Sequence, residues 1–316
     1  FRSYPMRVPP AASGLGPDLT IGYDSGSVDG RVASTNNQPS WVGEGFDLAP
    51  GGYVTREYQS CGDDMTGGSN ATRKTSDLCW GKDNATLVLG GKASRLVRDG
   101  ATSNWRLKED DGSTIQRVAP GATSNANGDN DGEYWKLTAT DGTQYWFGLE
   151  KRYASDTTTR NSTLTVPVNG NHSGEACYNA TFASGFCNQA WKWQLAYVQD
   201  MRGNTVTYNY AKETNRYGQN LDTKSVAYDR GGYLTSIEYG QVAGSETAAN
   251  TQQSLSAPTS EMSPLAMASA NRARSAAVAR SSSAARTAKQ TLCSEEAWEI
   301  MMTLTPAAMK LSICVN

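Results

Sequence analysis

The apolar residues of this chain recur at every second position, in short runs broken by Gly, Asp and Asn. That is the period of half-buried β-strands. Leu19, Ile21 and Tyr23 alternate with Thr20 and Gly22. Tyr53-Val54-Thr55 and Thr86-Leu87-Val88-Leu89 read as further strands, the second ended by Gly90-Gly91, and Asp99-Gly100 reads as a turn. Pro5, Pro9 and Pro10 keep the start of the chain out of helix, because proline lacks the amide donor and biases its predecessor to extended geometry. Gly14-Leu15-Gly16-Pro17 is a turn.

An internal repeat follows. Trp105-Arg-Leu107-Lys-Glu-Asp-Asp111-Gly112-Ser113 matches Trp135-Lys-Leu137-Thr-Ala-Thr-Asp141-Gly142-Thr143 position for position. Each unit predicts a strand opening on Trp, an Asp-Gly turn of type I′ and a return strand. A looser copy runs from Trp193 and Leu195 through Asp200 and Gly203-Asn204 to Val206, Tyr208 and Tyr210. Repeated hairpins imply an array in which no unit buries its own face. The position shared by Trp105, Trp135 and Trp193 predicts inward-facing rings.

The stretch from Tyr228 to Gly240, Tyr-Asp-Arg-Gly-Gly-Tyr-Leu-Thr-Ser-Ile-Glu-Tyr-Gly, predicts a turn at Asp229 and the Gly pair. A strand should follow, with Tyr233, Thr235, Ile237 and Tyr239 on one face. This pattern resembles the tyrosine-aspartate (YD) repeat of RHS proteins. Tyr4-Pro5, Val8-Pro9-Pro10, Gly14-Leu15-Gly16-Pro17, Leu19-Thr-Ile21-Gly-Tyr23 and Trp41-Val-Gly-Glu-Gly45-Phe46-Asp-Leu48 stand in the order seen in another group. They resemble the N-terminal domain shared by the B component of insecticidal toxin complexes and many bacterial RHS proteins. Phe46 stands where that family usually has Trp. The loop Asn36-Asn37-Gln38-Pro39-Ser40-Trp41 is similar to that of actinobacterial secreted RHS proteins. The resemblance covers roughly residues 3–244 and rests on several motifs in order.

The tail departs sharply. All 31 Gly lie before residue 245, and Ala and Ser dominate beyond it. The expected domains are therefore a toxin-complex-B-like β segment at 1–48, a hairpin array at 49–244 and a non-β tail at 245–316. The tail is read as disordered, partly helical or produced by a shift of coding register near residue 245. Ser294, with Glu295 and Glu296 behind it, could cap a short helix there.

Composition narrows the chemistry. The chain has 316 residues and a formal charge of −2, with no basic run, which argues against nucleic acid as the main partner. No apolar run reaches the ~20 residues that span a bilayer. The chain starts at Phe1 rather than Met, as a fragment or processed form does. Of six Cys, Cys61 with Cys79 and Cys177 with Cys187 each bracket a polar loop, and are read as disulfides of an oxidising compartment rather than free buried thiols. Neither pair has zinc-type spacing, and His172 is the one histidine, which argues against a metal site. His172 lies in a turn-rich loop and reads as an exposed loop residue rather than a catalytic base.

Asn127-x-Asp129-x-Asp131-Gly132 has the first half of a calcium loop, but Thr138 falls where the last acidic ligand belongs, so it reads as a polar hairpin loop. Asp29, Asp99, Asp111, Asp131 and Asp141 precede Gly, where turn formation explains them, and glycosidase chemistry is the weakest reading. The sequons at Asn70, Asn84, Asn161 and Asn179 would matter only in a glycosylating secretory pathway.

The expectation is an all-β array of antiparallel hairpins. The RHS resemblance implies more, a hollow β-shell that encloses a C-terminal toxin and delivers it. The chain would then be a structural fragment, secreted or at the cell surface, without catalytic, metal or cofactor residues. Its partners would be the rest of its shell and the enclosed effector. The alternative is a surface carbohydrate-binding protein whose Trp and Tyr stack on cell-surface glycans.

Overall fold

Aspartate and glycine set the turns, and the strands follow from them. At 139–143, Gly142 N donates to Ala139 O at 2.9 Å and Ala139 N donates to Thr143 O at 2.8 Å. At 200–204, Gly203 N donates to Asp200 O and Asp200 N to Asn204 O, both at 3.0 Å. Gly142 and Gly203 have φ of 81° and 82°, and their neighbours in the turn stay at negative φ. The turns are thus type I turns closed by a glycine bulge, not the expected type I′ turns, which need positive φ at two residues.

The protein, described here by a computed structural model, is defined at residues 2–11, 14–17, 19–23, 46–49, 51–90, 92–152, 156–246, 253–256, 303–305 and 308–310. It divides into two units, Phe1–Ser256 and Ala257–Asn316. The first begins with β1 (Arg2–Met6), β2 (Leu19–Tyr23) and β3 (Phe46–Ala49), an antiparallel three-stranded sheet. Then come β4 (Tyr53–Thr55), β5 (Gln59–Ser60), β6 (Leu78–Cys79), β7 (Ala85–Leu89), β8 (Lys92–Arg98), β9 (Trp105–Leu107) and β10 (Thr114–Val118). The last group is β11 (Tyr134–Thr138), β12 (Gln144–Phe147), β13 (Thr163–Asn169), β14 (Phe186–Gln199), β15 (Asn204–Gly218), β16 (Lys224–Val242) and β17 (Gln253–Ser256).

These last fourteen strands form one sheet whose main path is β10-β11-β12-β14-β4-β7-β8-β9. Its two end strands, β9 and β10, approach each other without sharing a ladder, so the path curls back on itself. That outcome corrects the reading of the first repeat. Gly112 takes φ of 85° as expected, but β9 pairs with β8 and β10 pairs with β11. The turn hands the chain from one end of the curled sheet to the other. The second and third units are hairpins, β11 with β12 and β14 with β15.

β14 is the hub. Its first half pairs with β13 and its second with β12, while β4 and β15 take other edges. Register shifts opposite Leu164/Thr165 and Trp146/Phe147 bend the strand where it changes partners.

The Tyr228–Gly240 stretch corrects a second expectation. Asp229, Gly231 and Gly232 do not turn; they lie inside β16, a strand of 19 residues paired with β15. Asp229 is buried, and its carboxylate accepts from Thr165 N at 2.9 Å, Thr165 Oγ1 at 3.0 Å and Lys212 Nζ at 3.0 Å. A turn Asp satisfies its own backbone, whereas this one binds two other strands. The chain reverses upstream, where Asn220, Leu221 and Asp222 all have φ near 60°. Arg73 Nη1 donates to Asn220 Oδ1 at 2.7 Å and Asn220 N to Asp77 Oδ2 at 3.0 Å, which holds that turn down. A register shift between Asn209 and Tyr210 leaves Thr235 unpaired, so the expected face breaks. Leu234 joins Ile237 and Tyr239 in the core, and Tyr233 faces out.

The N-terminal segment docks on the same strand, where Tyr239 Oη donates to Pro9 O at 2.9 Å. Both expected disulfides form, Cys61–Cys79 with a Cα separation of 4.8 Å and Cys177–Cys187 with 6.0 Å. Within the stretch expected as a tail, β17 pairs with β16, and in the second unit β18 (Thr303–Thr305) pairs with β19 (Ala308–Lys310). The Asn36–Trp41 loop and the Ser294 cap lie outside the described residues.

The Asp229 contacts predict a measurable cost. Asp229→Ala should destabilise the protein by about 1–3 kcal/mol for each buried donor it strands. Asp229→Gly should cost as much, although glycine suits a turn. Urea melts that match the parent for Asp229→Gly would restore the turn reading.

Candidate functional site

The three repeat-opening tryptophans meet in the core. Trp135 and Trp193 are fully buried and Trp105 is 8% exposed. Their rings stack edge to face, Trp105 on Trp135 at 5.1 Å and Trp135 on Trp193 at 6.0 Å between centroids. This geometry adds roughly 0.5–1.5 kcal/mol per pair beyond the area buried. It also leaves none of the three open to a sugar ring, so the inward placement read from the repeat holds.

Beside this stack lies a buried ion pair. Arg56 follows β4, and Glu133 precedes β11. Arg56 Nη1 and Nη2 donate to the two Glu133 oxygens at 3.0 and 2.7 Å. The guanidinium lies 4.9 Å over the Trp193 ring and 5.1 Å over Trp80. Trp193 Nε1 donates to Glu133 O at 2.8 Å, and Arg117 Nη2 donates to Glu133 Oε2 at 2.7 Å. Burial works against the Arg56 charge, but the Glu133 carboxylate outweighs it and holds the guanidinium protonated. Repeat spacing could not reveal this pair, since neither residue belongs to a repeated position.

The half calcium loop is a packed structural loop. Asn127 Nδ2 donates to Glu133 O, Gly148 O and Thr163 Oγ1 at 2.8–3.1 Å. Asp129 Oδ1 accepts from Asp131 N and Glu133 N, and Oδ2 accepts from Ala190 N at 2.7 Å. The side-chain oxygens of Asn127 and Asp129 are thus spent on backbone donors of the loop and of β14. Burial and the neighbouring Asp131 carboxylate push the Asp129 carboxyl up to about 7, against the Ala190 N–H that favours its charge. Asp156 goes the other way: burial would raise it, but Arg152 and Arg160 hold it at about 2.

His172 is partly exposed, as read, but it is not alone. Its Nε2 lies 3.2 Å from Asp64 Oδ1. Glu175 Oε2 accepts from Asn171 N at 2.7 Å and His172 N at 2.9 Å. One donor atom from each of Asp64, His172 and Glu175 lies within 4.8 Å of the others. Asp64 is distant in sequence from the other two, so motif spacing could not bring it in. Of the sequons, Asn70 is buried and bonded to Asn171 and Cys61, which closes it to modification in the folded chain.

No protein-family model matches the chain, and no curated protein matches it. Among solved structures it is similar to the crystal structure of TcdB2-TccC3, with 16% identity and a TM-score of 0.40 over 79% of this chain and 10% of that one. It is also similar to the N-terminal domain of effector protein SpvB from Salmonella typhimurium strain LT2, with 15% identity and a TM-score of 0.39 over 77% of this chain and 67% of that one. A third is the Photorhabdus luminescens Tc holotoxin pore, with 16% identity and a TM-score of 0.35 over 75% of this chain and 9% of that one. Among the described residues no helix is long and apolar enough to cross a membrane.

Two predictions follow from these charges. Glu133→Gln should cost ~3–5 kcal/mol, because it strands a buried guanidinium, whereas the double change Arg56→Met with Glu133→Leu should recover much of the loss. A double-mutant cycle by chemical denaturation measures this. Because the Asp129 carboxyl is raised in the folded state, its contribution is complete below an unfolded pKa of ~3.9 and is lost as pH rises through about 7. Stability should therefore fall between about pH 4 and 8, and Asp131→Asn should flatten that slope.

Proposed function

We propose that the chain is a structural, non-catalytic segment of a larger RHS-type β-shell that encloses and delivers a C-terminal effector outside the producing cell. The observation that carries this reading is the joining of three Trp-opened units, two of them hairpins, into one continuous sheet with their opening tryptophans in a shared core. Such units are built to be extended by further units rather than to present a pocket. Two disulfides are compatible with an oxidising, extracellular setting. The order of N-terminal motifs and the YD stretch supply the family resemblance on which the shell rests.

Carbohydrate binding is kept as a second reading because of one contact. Tyr23 and Phe46, each 38% exposed, lie 4.9 Å apart on the three-stranded sheet. On the shell reading they are covered by neighbouring parts of the protein.

The shell reading predicts that the complete gene product protects its C-terminal segment from protease, while the same segment expressed alone is digested. Equal digestion rates would contradict it. A glycan array separates the two readings. The shell segment should bind no glycan, and Trp135→Ala should cost ~3–5 kcal/mol of stability. Glycan binding abolished by Tyr23→Ala with the melting point unchanged would favour the second reading.

A further inference from the structure

We propose that Asp64, His172 and Glu175 form a divalent-cation site between the Cys61–Cys79 loop and the segment that leads into Cys177, suited to Zn²⁺. The donor set is one imidazole nitrogen and two carboxylate oxygens, which matches a borderline first-row ion better than a hard one such as Mg²⁺. Three protein donors leave a position for water, the arrangement of open zinc sites.

The geometry supports this in two ways. First, bonds of ~2.0–2.1 Å in a tetrahedral site put neighbouring donors about 3.3 Å apart. His172 Nε2 and Asp64 Oδ1 are separated by 3.2 Å, and all three donors fall within 4.8 Å. Second, the ligands are already oriented from behind. Glu175 Oε2 is fixed by two backbone N–H groups, of Asn171 and His172. Buried Asn171 also donates through Nδ2 to Asp64 O at 2.6 Å and to Asn70 Oδ1 at 2.8 Å. Supporting bonds of this kind hold ligands in place before the ion arrives.

Position gives the site a role. Asp64 follows Cys61 in the loop closed by Cys79, and His172 and Glu175 lie just before Cys177, whose partner Cys187 is in the hub strand. A shared cation would tie the Cys61–Cys79 loop to the segment before Cys177 without a third disulfide and would stabilise the folded chain by linkage.

His172 is the only histidine in the chain, so its imidazole gives one NMR signal that reports the site directly. Titration of the oxidised protein with Zn²⁺, after treatment with chelator, should shift that signal with saturation at one ion per chain. Asp64→Asn and Glu175→Gln should each weaken binding by at least about tenfold, the scale seen when even a supporting partner is lost. Amide spectra establish that each variant is folded; if Glu175→Gln is not, Asp64→Asn decides. An imidazole signal unmoved by stoichiometric Zn²⁺, or a folded Asp64→Asn that binds like the parent, would overturn the proposal.

Discussion

The structure depends on the burial of one charge pair against one aromatic stack. Arg56 and Glu133 flank two strands far apart in sequence, β4 and β11, and the hub strand β14 runs between those strands carrying Trp193. Burying two charges costs several kcal/mol per ion unless further bonds satisfy them. Here Trp193 Nε1 and Asn127 Nδ2 occupy the Glu133 carbonyl, Arg117 shares its carboxylate, and two indole faces cover the guanidinium. The pair therefore acts less as a source of net stability than as a register lock, since a one-residue slip in β14 would turn Trp193 outward and leave both charges buried without that cover.

The same logic accounts for what the sequence reveals and what it hides. The β class, the hairpins at Asp141-Gly142 and around Gly203, the two disulfides and the inward tryptophans are legible because each rests on local chemistry. An Asp-Gly turn needs only its own neighbours, and two cysteines bracketing one loop are already close. Asp229 misleads because the residues that make a good turn also suit a bulge, and only the distant Thr165 and Lys212 decide between them. The first repeat misleads for the opposite reason. Its turn forms, but its strands find better partners in β8 and β11. The inward face of β16 could not be read from alternation, because the unpaired Thr235 changes its phase. The cluster of Asp64, His172 and Glu175 was hidden entirely, since two separate loops build it.

These features fit a chain whose working parts are its edges and its joints. The core spends its aromatic and charged residues on holding one sheet in register. The Cys61–Cys79 loop is pinned to the tip of the β15–β16 hairpin through Asp77 and Arg73, and to the segment after β13 through Asn171. The interactions described here hold the sheet rigid, which the shell we propose would require of its wall.

The central claim is that β14 organises the whole sheet and opens only when the sheet does. Native-state amide hydrogen exchange tests it most directly, because exchange free energies range from near zero in fraying segments to the global value in the core. Amides from Ala190 to Val198 should exchange with the free energy and denaturant dependence of global unfolding, while those near the tip of the β15–β16 hairpin should open more easily. Exchange of the β14 amides through a sub-global opening, with β15 and β16 still protected, would contradict the account.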